Sequence, residues 1–340
     1  MDPYGLRRVV SPPGVLPQRA DRLDPTLSLG EDELSIEVEA LNVDAASFRQ
    51  IEGAVGKEPA RIAAEITRIV TERGKLQNPV TGSGGMLIGR VTAIGPRHPA
   101  AGTLAPGARI ATLVSLTLTP LRLDTITAVR PEIDRVECRG EAILFATGLW
   151  ARLPDDLPET LALAALDVCG APTLVARHAR PGQRVLVLGA GKSGALVAVQ
   201  AREQLGATGW VVAADRSPGA LEALASLGVC DQLLEFDATD GVGALARVEA
   251  AGGLFDLVVN CASVAGTEMA ALLAVKDGGI VIFFSMATSF TGAALGAEGV
   301  GKDATLLIGN GYVPGHAELT LGLLRRHPRL RALFESRYAK

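Results

Sequence analysis

The sequence predicts an α/β chain in two parts: a β-rich N-terminal part, then a doubly wound parallel sheet. Three observations predict it. Alternation of polar and apolar residues dominates the first half. From Val185 onward, strand-like and helix-like stretches alternate regularly. A glycine-rich turn, Arg184 to Gly194, joins the first of those strands to its helix. Composition supports two cores, with 340 residues, 48% hydrophobic content and a mean hydropathy of +0.28. Aromatic residues make up only 4%, so Ala, Val and Leu must fill those cores. The net charge of −4, with acids and bases interspersed, gives no reason to expect a nucleic acid or an anionic membrane as partner.

Taken in order, residues 1–30 hold Pro3, Pro12, Pro13, Pro17 and Pro25 and read as an extended, ordered arm. Glu33 to Leu41 alternates as a half-buried strand does. Asp44 follows, placed either to cap the next turn or to face a substrate. Pro59 to Arg73 repeats Ile62, Ile66, Ile69 and Val70 at helical spacing and stops at Gly74, an amphipathic helix and the one helical insertion of this part. Asn78 to Met86 is dense in glycine and hydroxyls, which suits either a backbone approach to a ligand or a barrel corner. Leu87 to Ile94, Leu113 to Leu118 and Leu123 to Val129 continue the strand pattern.

In the second half, strands are expected at 185–188, 210–214, 233–236, 256–260, 279–284 and 304–308. Helices are expected at 194–205, 218–227, 241–250 and 265–275. Gly189, Gly191 and Gly194 fall in G-x-G-x-x-G spacing between the first strand and its helix. That context makes the turn a Rossmann fingerprint for a dinucleotide. Gly189, Gly191, Ser193 and Gly194 hold the pyrophosphate, and Lys192 either contacts phosphate or faces solvent. Asp215 ends the second strand, where a carboxylate takes the ribose hydroxyls and repels a 2′-phosphate, so NAD is the expected cofactor. Arg216 beside it weakens that preference. Asn260, Cys261 and Ala262 end a strand at the edge where adenine and ribose pass. Phe284, Ser285 and Thr173 are placed on the nicotinamide side.

Four scattered cysteines, none in a C-x-x-C, read as reduced thiols of a cytoplasmic protein. The N-terminus lacks a signal-peptide core, and no apolar run reaches transmembrane length without Gly or charge, so no membrane is expected. The histidines, His98, His178, His316 and His327, lie in no metal-ligand spacing. They read as surface or capping residues, with His316 a minor site candidate.

Both halves together resemble the medium-chain dehydrogenase/reductase superfamily over nearly the whole chain. Gly89 to Gly95, Pro106 to Ile110, Gly140 to Leu144 with Leu153-Pro154, and Cys169 to Thr173 carry the likeness. It implies a GroES-like catalytic domain over 1–152 with a C-terminal return at 312–340, and a Rossmann domain over 153–311. It also implies a homodimer. The zinc members of the superfamily carry Gly-His-Glu where this chain has Gly84, Gly85 and Met86, and no cysteine precedes Cys138, so no metal is expected.

Residues 41–48, 72–89 and 309–317 are similar in wording to a smaller family, the L-erythro-3,5-diaminohexanoate dehydrogenases. That resemblance implies NAD-linked oxidative deamination of a small diamino acid to 5-amino-3-oxohexanoate, ammonia and NADH, in lysine fermentation. Such chemistry needs groups that cycle protons. Asp44, Ser47, Thr81 and Ser83, in the two loops that carry the wording, are the candidates. Asp44 serves as acid/base or ammonium anchor, and Lys75 or Arg49 could face the substrate carboxylate. Two other readings stay open: a zinc-independent NADPH-dependent enone or quinone reductase, and a nucleotide-binding relative without turnover.

Overall fold

The computed structural model describes residues 1–309 and 311–338, in two units, Met1–Pro154 and Asp155–Lys340. In the first unit, β1 (Val9–Ser11) and β2 (Arg22–Leu23) pair antiparallel within the proline-rich arm. β3 (Glu33–Asn42) follows, then α1 (Ala45–Val55), α2 (Pro59–Arg73), β4 (Met86–Ile94), β5 (Arg109–Thr112), β6 (Leu121–Arg130), β7 (Arg135–Phe145) and β8 (Trp150–Arg152). The sheet runs β6-β7-β3-β4-β5-β8 with every neighbour antiparallel. Leu34, Ile36 and Val38 of β3 pack with Leu87, Val136 and Leu144 into one core. α2 closes that core with Ile62, Ile66, Ile69 and Val70, and stops at Gly74 in the left-handed region (φ 62°).

Three expectations for this unit change. Two helices are inserted, not one, because Phe48 and Ile51 give α1 a buried face of its own. Leu113 to Leu118 forms no strand; Ser115 accepts the Thr117 N–H and caps a 3₁₀ turn at Leu116–Leu118. His98 is neither at the surface nor a helix cap: it is buried, with Nε2 on the Phe145 carbonyl at 3.2 Å and Nδ1 accepting the Ala100 N–H at 3.0 Å.

The second unit opens with α3 (Glu159–Leu166) and α4 (Gly170–His178). The alternating series is β9 (Arg184–Leu188), α5 (Lys192–Leu205), β10 (Trp210–Asp215), α6 (Pro218–Ala225), β11 (Gln232–Glu235), α7 (Gly241–Ala250), β12 (Phe255–Asn260), α8 (Glu268–Ala274), β13 (Val275–Phe283), α9 (Phe290–Gly299) and β14 (Ala304–Ile308). α10 (His316–Arg326) and α11 (Pro328–Tyr338) end it. The six strands are parallel in the order β11-β10-β9-β12-β13-β14, the doubly wound 3-2-1-4-5-6 arrangement. All six expected strands are present. α9 is an element the sequence reading lacked.

Residues 312–340 were expected to return to the first unit. Instead α10 and α11 belong with the second. Ala317, Leu321 and Leu324 are buried, Thr320 donates to the Cys169 carbonyl at 3.3 Å, and Arg326 and His327 both reach Glu203 of α5. The physical reason is that α10 packs on α3, α4 and α5, and α11 on α3 and α5, so their apolar faces are buried there. Among the described residues no single helix is long and apolar enough to cross a membrane; α3 and α4 would be so only jointly, and they are bent by 51°.

The arm is held by charge. Arg8 is fully buried, and its Nε and Nη2 donate to Glu33 at 2.7 Å each, with further bonds to the Asp24, Leu27 and Ser28 carbonyls. Burial alone would push the Glu33 carboxyl up, but the guanidiniums of Arg8 and Arg7 and the Gly30 N–H overrule it and hold it at about 2. A depressed folded pKa stabilises above the unfolded value and is lost as pH falls through the folded one. Glu33→Gln should therefore cost roughly 3 kcal/mol at pH 7 and flatten the stability loss between about pH 4.5 and 2. Denaturant melts across that range check it; an unchanged acid limb would refute the assignment.

Candidate functional site

Three glycines shape the turn between β9 and α5, each for a different reason. Gly189 takes φ 94°, and a Cβ there would lie 2.9 Å from the Ala262 nitrogen. Gly194 has no room at all, since its Cβ would sit 1.9 Å from the Gly189 carbonyl oxygen. A Cβ on Gly191, by contrast, would meet nothing within 4 Å. The first makes the turn, the third lets helix touch strand, and the second leaves an open face of backbone at the start of a 14-residue helix. There free N–H groups and the dipole favour a pyrophosphate.

The neighbouring carboxylate is built into that turn. Asp215 Oδ2 accepts the Ala190 N–H at 2.7 Å, and Oδ1 accepts the Ser217 N–H at 2.8 Å. Each oxygen keeps a lone pair for a ribose hydroxyl. A pocket of about 190 Å³ joins Gly189, Gly191, Asp215, Arg216, Cys261 and Ala262. This is smaller than a whole-ligand pocket of about 300 Å³ or more, so it suits one nucleoside end of a longer molecule. Asp237, which sequence reasoning missed, also lines it. The Thr239 N–H and hydroxyl hold its carboxyl below the usual range, and Arg216 stands 4.0 Å away. Its signal was the position just past β11, at the same sheet edge as Asp215.

Other chosen residues lie elsewhere or are already engaged. Lys192 Nζ is 2.5 Å from Asp167 and over the Tyr338 ring. Thr173 is buried and donates to the Cys169 carbonyl within α4 at 3.0 Å. Asn260 is buried, its amide on the Thr267 hydroxyl and its carbonyl accepting the Ala262 N–H, so it shapes the pocket wall. Burial pushes the Cys261 thiol up to about 12, which leaves it without nucleophilic character near neutrality. Ser193 is half-buried in the first turn of α5. Phe284 and Ser285 follow β13, and Ser285 Oγ accepts the Ala287 N–H.

In the first unit the structure brings Asp44, Ser47, Thr81 and Ser83 together. Asp44 caps α1, with Oδ1 accepting the Ser47 N–H at 2.9 Å. Its other oxygen, Oδ2, is buried and has no hydrogen-bond partner among the described residues. Ser47 Oγ lies 2.5 Å from Thr81 Oγ1, and Thr81 Oγ1 also accepts the Ser83 N–H. Buried Asn78 organises the loop: Oδ1 accepts from Val80 and Thr81, and Nδ2 donates to Gln50 and to the Ser47 carbonyl. Sequence reading passed over Asn78 and Gln50 as site-forming residues; an Asn before Pro79 is the Asx-turn signal that could have found the first.

The glycines of this loop approach protein backbone rather than a ligand. A Cβ on Gly85 (φ 93°) would lie 2.1 Å from the Asn42 carbonyl and 2.7 Å from the Asp44 nitrogen. No side chain fits at that position without displacing backbone. Among the described residues no three His, Cys, Asp or Glu groups could hold a metal ion. Lys75 does not face a substrate: it is fully buried, donates to the Pro17 carbonyl at 2.8 Å, and burial lowers it to about 8. Arg49 is exposed, and its charge opposes the rise that burial gives Asp134. A larger hollow, about 510 Å³ between β2, α2 and β6, contains none of the residues singled out. Of the 309–317 segment, Asn310 lies outside the described residues.

Residues 7–154 match the L-erythro-3,5-diaminohexanoate dehydrogenase N-terminal domain. Enzymes named L-erythro-3,5-diaminohexanoate dehydrogenase from Acetoanaerobium sticklandii and Fusobacterium nucleatum are 50% and 49% identical over 338 residues, each covering 98% of both chains. In fold, the chain resembles a mycobacterial quinone oxidoreductase (TM-score 0.56, 18% identity, 92% and 90% coverage) and an alcohol dehydrogenase from Thermus sp. ATN1 (TM-score 0.53, 18% identity, 94% and 92% coverage). With half its residues shared over almost its full length, and with a glycine turn and carboxylate fitted to a nicotinamide dinucleotide, the chain belongs to the L-erythro-3,5-diaminohexanoate dehydrogenase family.

Proposed function

We propose that the protein oxidises L-erythro-3,5-diaminohexanoate to 5-amino-3-oxohexanoate with NAD, releasing ammonia and NADH. The observation that carries this is the identity of about half of all residues with two dehydrogenases of that name. A bound nicotinamide supplies a hydride acceptor. The chain's own residues do the rest. Gly189, Gly191 and Gly194 set the backbone at the pyrophosphate, and Asp215, anchored by Ala190 and Ser217, takes the ribose hydroxyls. Asp215 and Asp237 together make the pocket hostile to a 2′-phosphate, which favours NAD over NADP. That supports the deaminase over an NADPH-dependent reductase.

In the first unit, the unpartnered Asp44 Oδ2 is the group that pairs with a substrate ammonium. A buried carboxylate oxygen without a donor costs about 1–3 kcal/mol, and an ammonium removes that penalty. The Ser47–Thr81 hydroxyl pair orients the amine or the attacking water. The reading carries with it a cytoplasmic place and a homodimer. Edge strand β14 with exposed Ile308, and α9 with exposed Phe290 and Leu295, offers the apolar edge for the second copy.

Three outcomes are expected. Absorbance at the NADH band should rise with 3,5-diaminohexanoate and NAD at least about 10-fold faster than with NADP, and Asp215→Asn should narrow that ratio; quinone-dependent NADPH consumption with no amine oxidation would refute the proposal. Asp44→Asn should lower kcat/KM by about 100-fold with NADH binding intact, and full retained turnover would remove its role. Light scattering should report the mass of two chains; a monomer at working concentration would discard the edge-strand pairing.

A further inference from the structure

Beyond β14 the second unit holds an imidazole that the nucleotide reading does not use. The Gly309 N–H donates to the Phe283 carbonyl at 2.8 Å, tying the ends of β14 and β13 together. Next, Gly311 runs so close to α4 that a Cβ on Gly170 would lie 2.6 Å from the Gly311 carbonyl oxygen. The chain thus passes from the carboxyl edge of the sheet to the first turn of α4 before α10 begins. His316 opens α10 and is only 5% exposed. Thr320, one turn later on the same helix face, donates to the Cys169 carbonyl, so that face lies against the start of α4. The Tyr312 ring meets the imidazole edge-on, with centroids 5.4 Å apart and planes at 86°.

Although the residue as a whole is buried, neither ring nitrogen of His316 is among the fully buried polar atoms that lack a partner, so the nitrogens keep access to solvent. A group that exchanges protons needs that access. An imidazole held this deep with its nitrogens still reachable is placed to meet a ligand. The sheet order says which. In the 3-2-1-4-5-6 arrangement a dinucleotide crosses the carboxyl edge at the switch point, here between β9 and β12. The glycine turn and Asp215 fix the adenosine half on the β9–β10–β11 side. A bound nicotinamide half would then lie toward the ends of β12, β13 and β14, on the side of the segment that leads to His316.

We propose that His316 is the proton acceptor for the substrate amine at the nicotinamide end of the second unit. The assignment rests on the deaminase reading above and deepens it. Burial lowers the imidazole below its usual range, against a weaker opposite pull from Glu318, so it stands neutral and ready to accept. It takes one proton from the C3 ammonium, leaving a neutral amine. A bound oxidised nicotinamide would supply the acceptor for the C3 hydride, and the freed nitrogen lone pair would close the C=N bond. Water adds to C3 and releases one proton to solvent. The imidazolium returns its proton to the carbinolamine nitrogen, the C3–N bond breaks with its electron pair on nitrogen, and the hydroxyl proton leaves with ammonia as ammonium. One carbon is oxidised by two electrons, one nicotinamide is reduced, and one proton is released overall.

The test uses the full chain with NAD and 3,5-diaminohexanoate. His316→Gln should lower kcat by about 100-fold or more, with the Kd for NADH, read by fluorescence, within twofold of the parent. His316→Ala should fall similarly and regain part of its turnover with added imidazole. In histidine-labelled parent protein, NADH should shift the ring resonances that are missing from the alanine variant. A kcat within threefold of the parent in either variant overturns the proposal. So does a loss matched by lost NADH binding, or a His316 resonance indifferent to NADH. If the parent itself makes no NADH from the diamino acid, the deaminase reading falls, and the resonance shift still decides where the ring lies.

Discussion

The second unit depends on the contact between the Gly194 Cα and the Gly189 carbonyl. A methyl group there would stand 1.9 Å from an oxygen, so any other residue would push α5 off β9. Even modest overpacking costs about 1–3 kcal/mol, and here the displaced element is the one that presents free N–H groups to a phosphate. The contact also carries the carboxylate. Ala190, between the glycines, donates its N–H to Asp215, so the glycine turn and the carboxylate are tied together across β9 and β10. Binding geometry and core packing are therefore the same constraint.

Close backbone approach organises the first unit too, with a different result. Gly85 lets the start of β4 lie on residues 42–44, which places the 78–83 loop beside the α1 cap. Asn78 then spends its whole amide on local bonds, and Ser47 and Thr81 meet across the gap. Of the fully buried side-chain polar atoms in this small network, Asp44 Oδ2 is the one without a partner among the described residues.

Much of this was legible in the chain because the signals are local. Strand and helix periods, the three-glycine spacing and the acid at the end of β10 all act within some 30 residues. Positions whose roles need distant partners were not. Lys75 looks like a free cation beside a polar loop, yet the arm covers it and takes its proton donor through the Pro17 carbonyl. Thr173 looks like a ligand contact and turns back on its own helix. Lys192 sits inside the phosphate motif but pairs with Asp167, 25 residues earlier. Asp237 reaches the Asp215 pocket only because β11 lies next to β10.

The sequence by itself determined the class of fold, the register of the glycine turn and the carboxylate that ends β10. Each follows from side-chain period, from the absence of Cβ, or from one carboxylate at a fixed offset. Only the tertiary structure decided which polar groups remain unmatched, that the C-terminal helices cover α3 and α4, and that His316 lies buried against the Tyr312 ring. The physical reason is that hydrogen-bond satisfaction and burial are properties of pairs. The partners here are separated by tens to hundreds of residues, and no local pattern records which of them will meet.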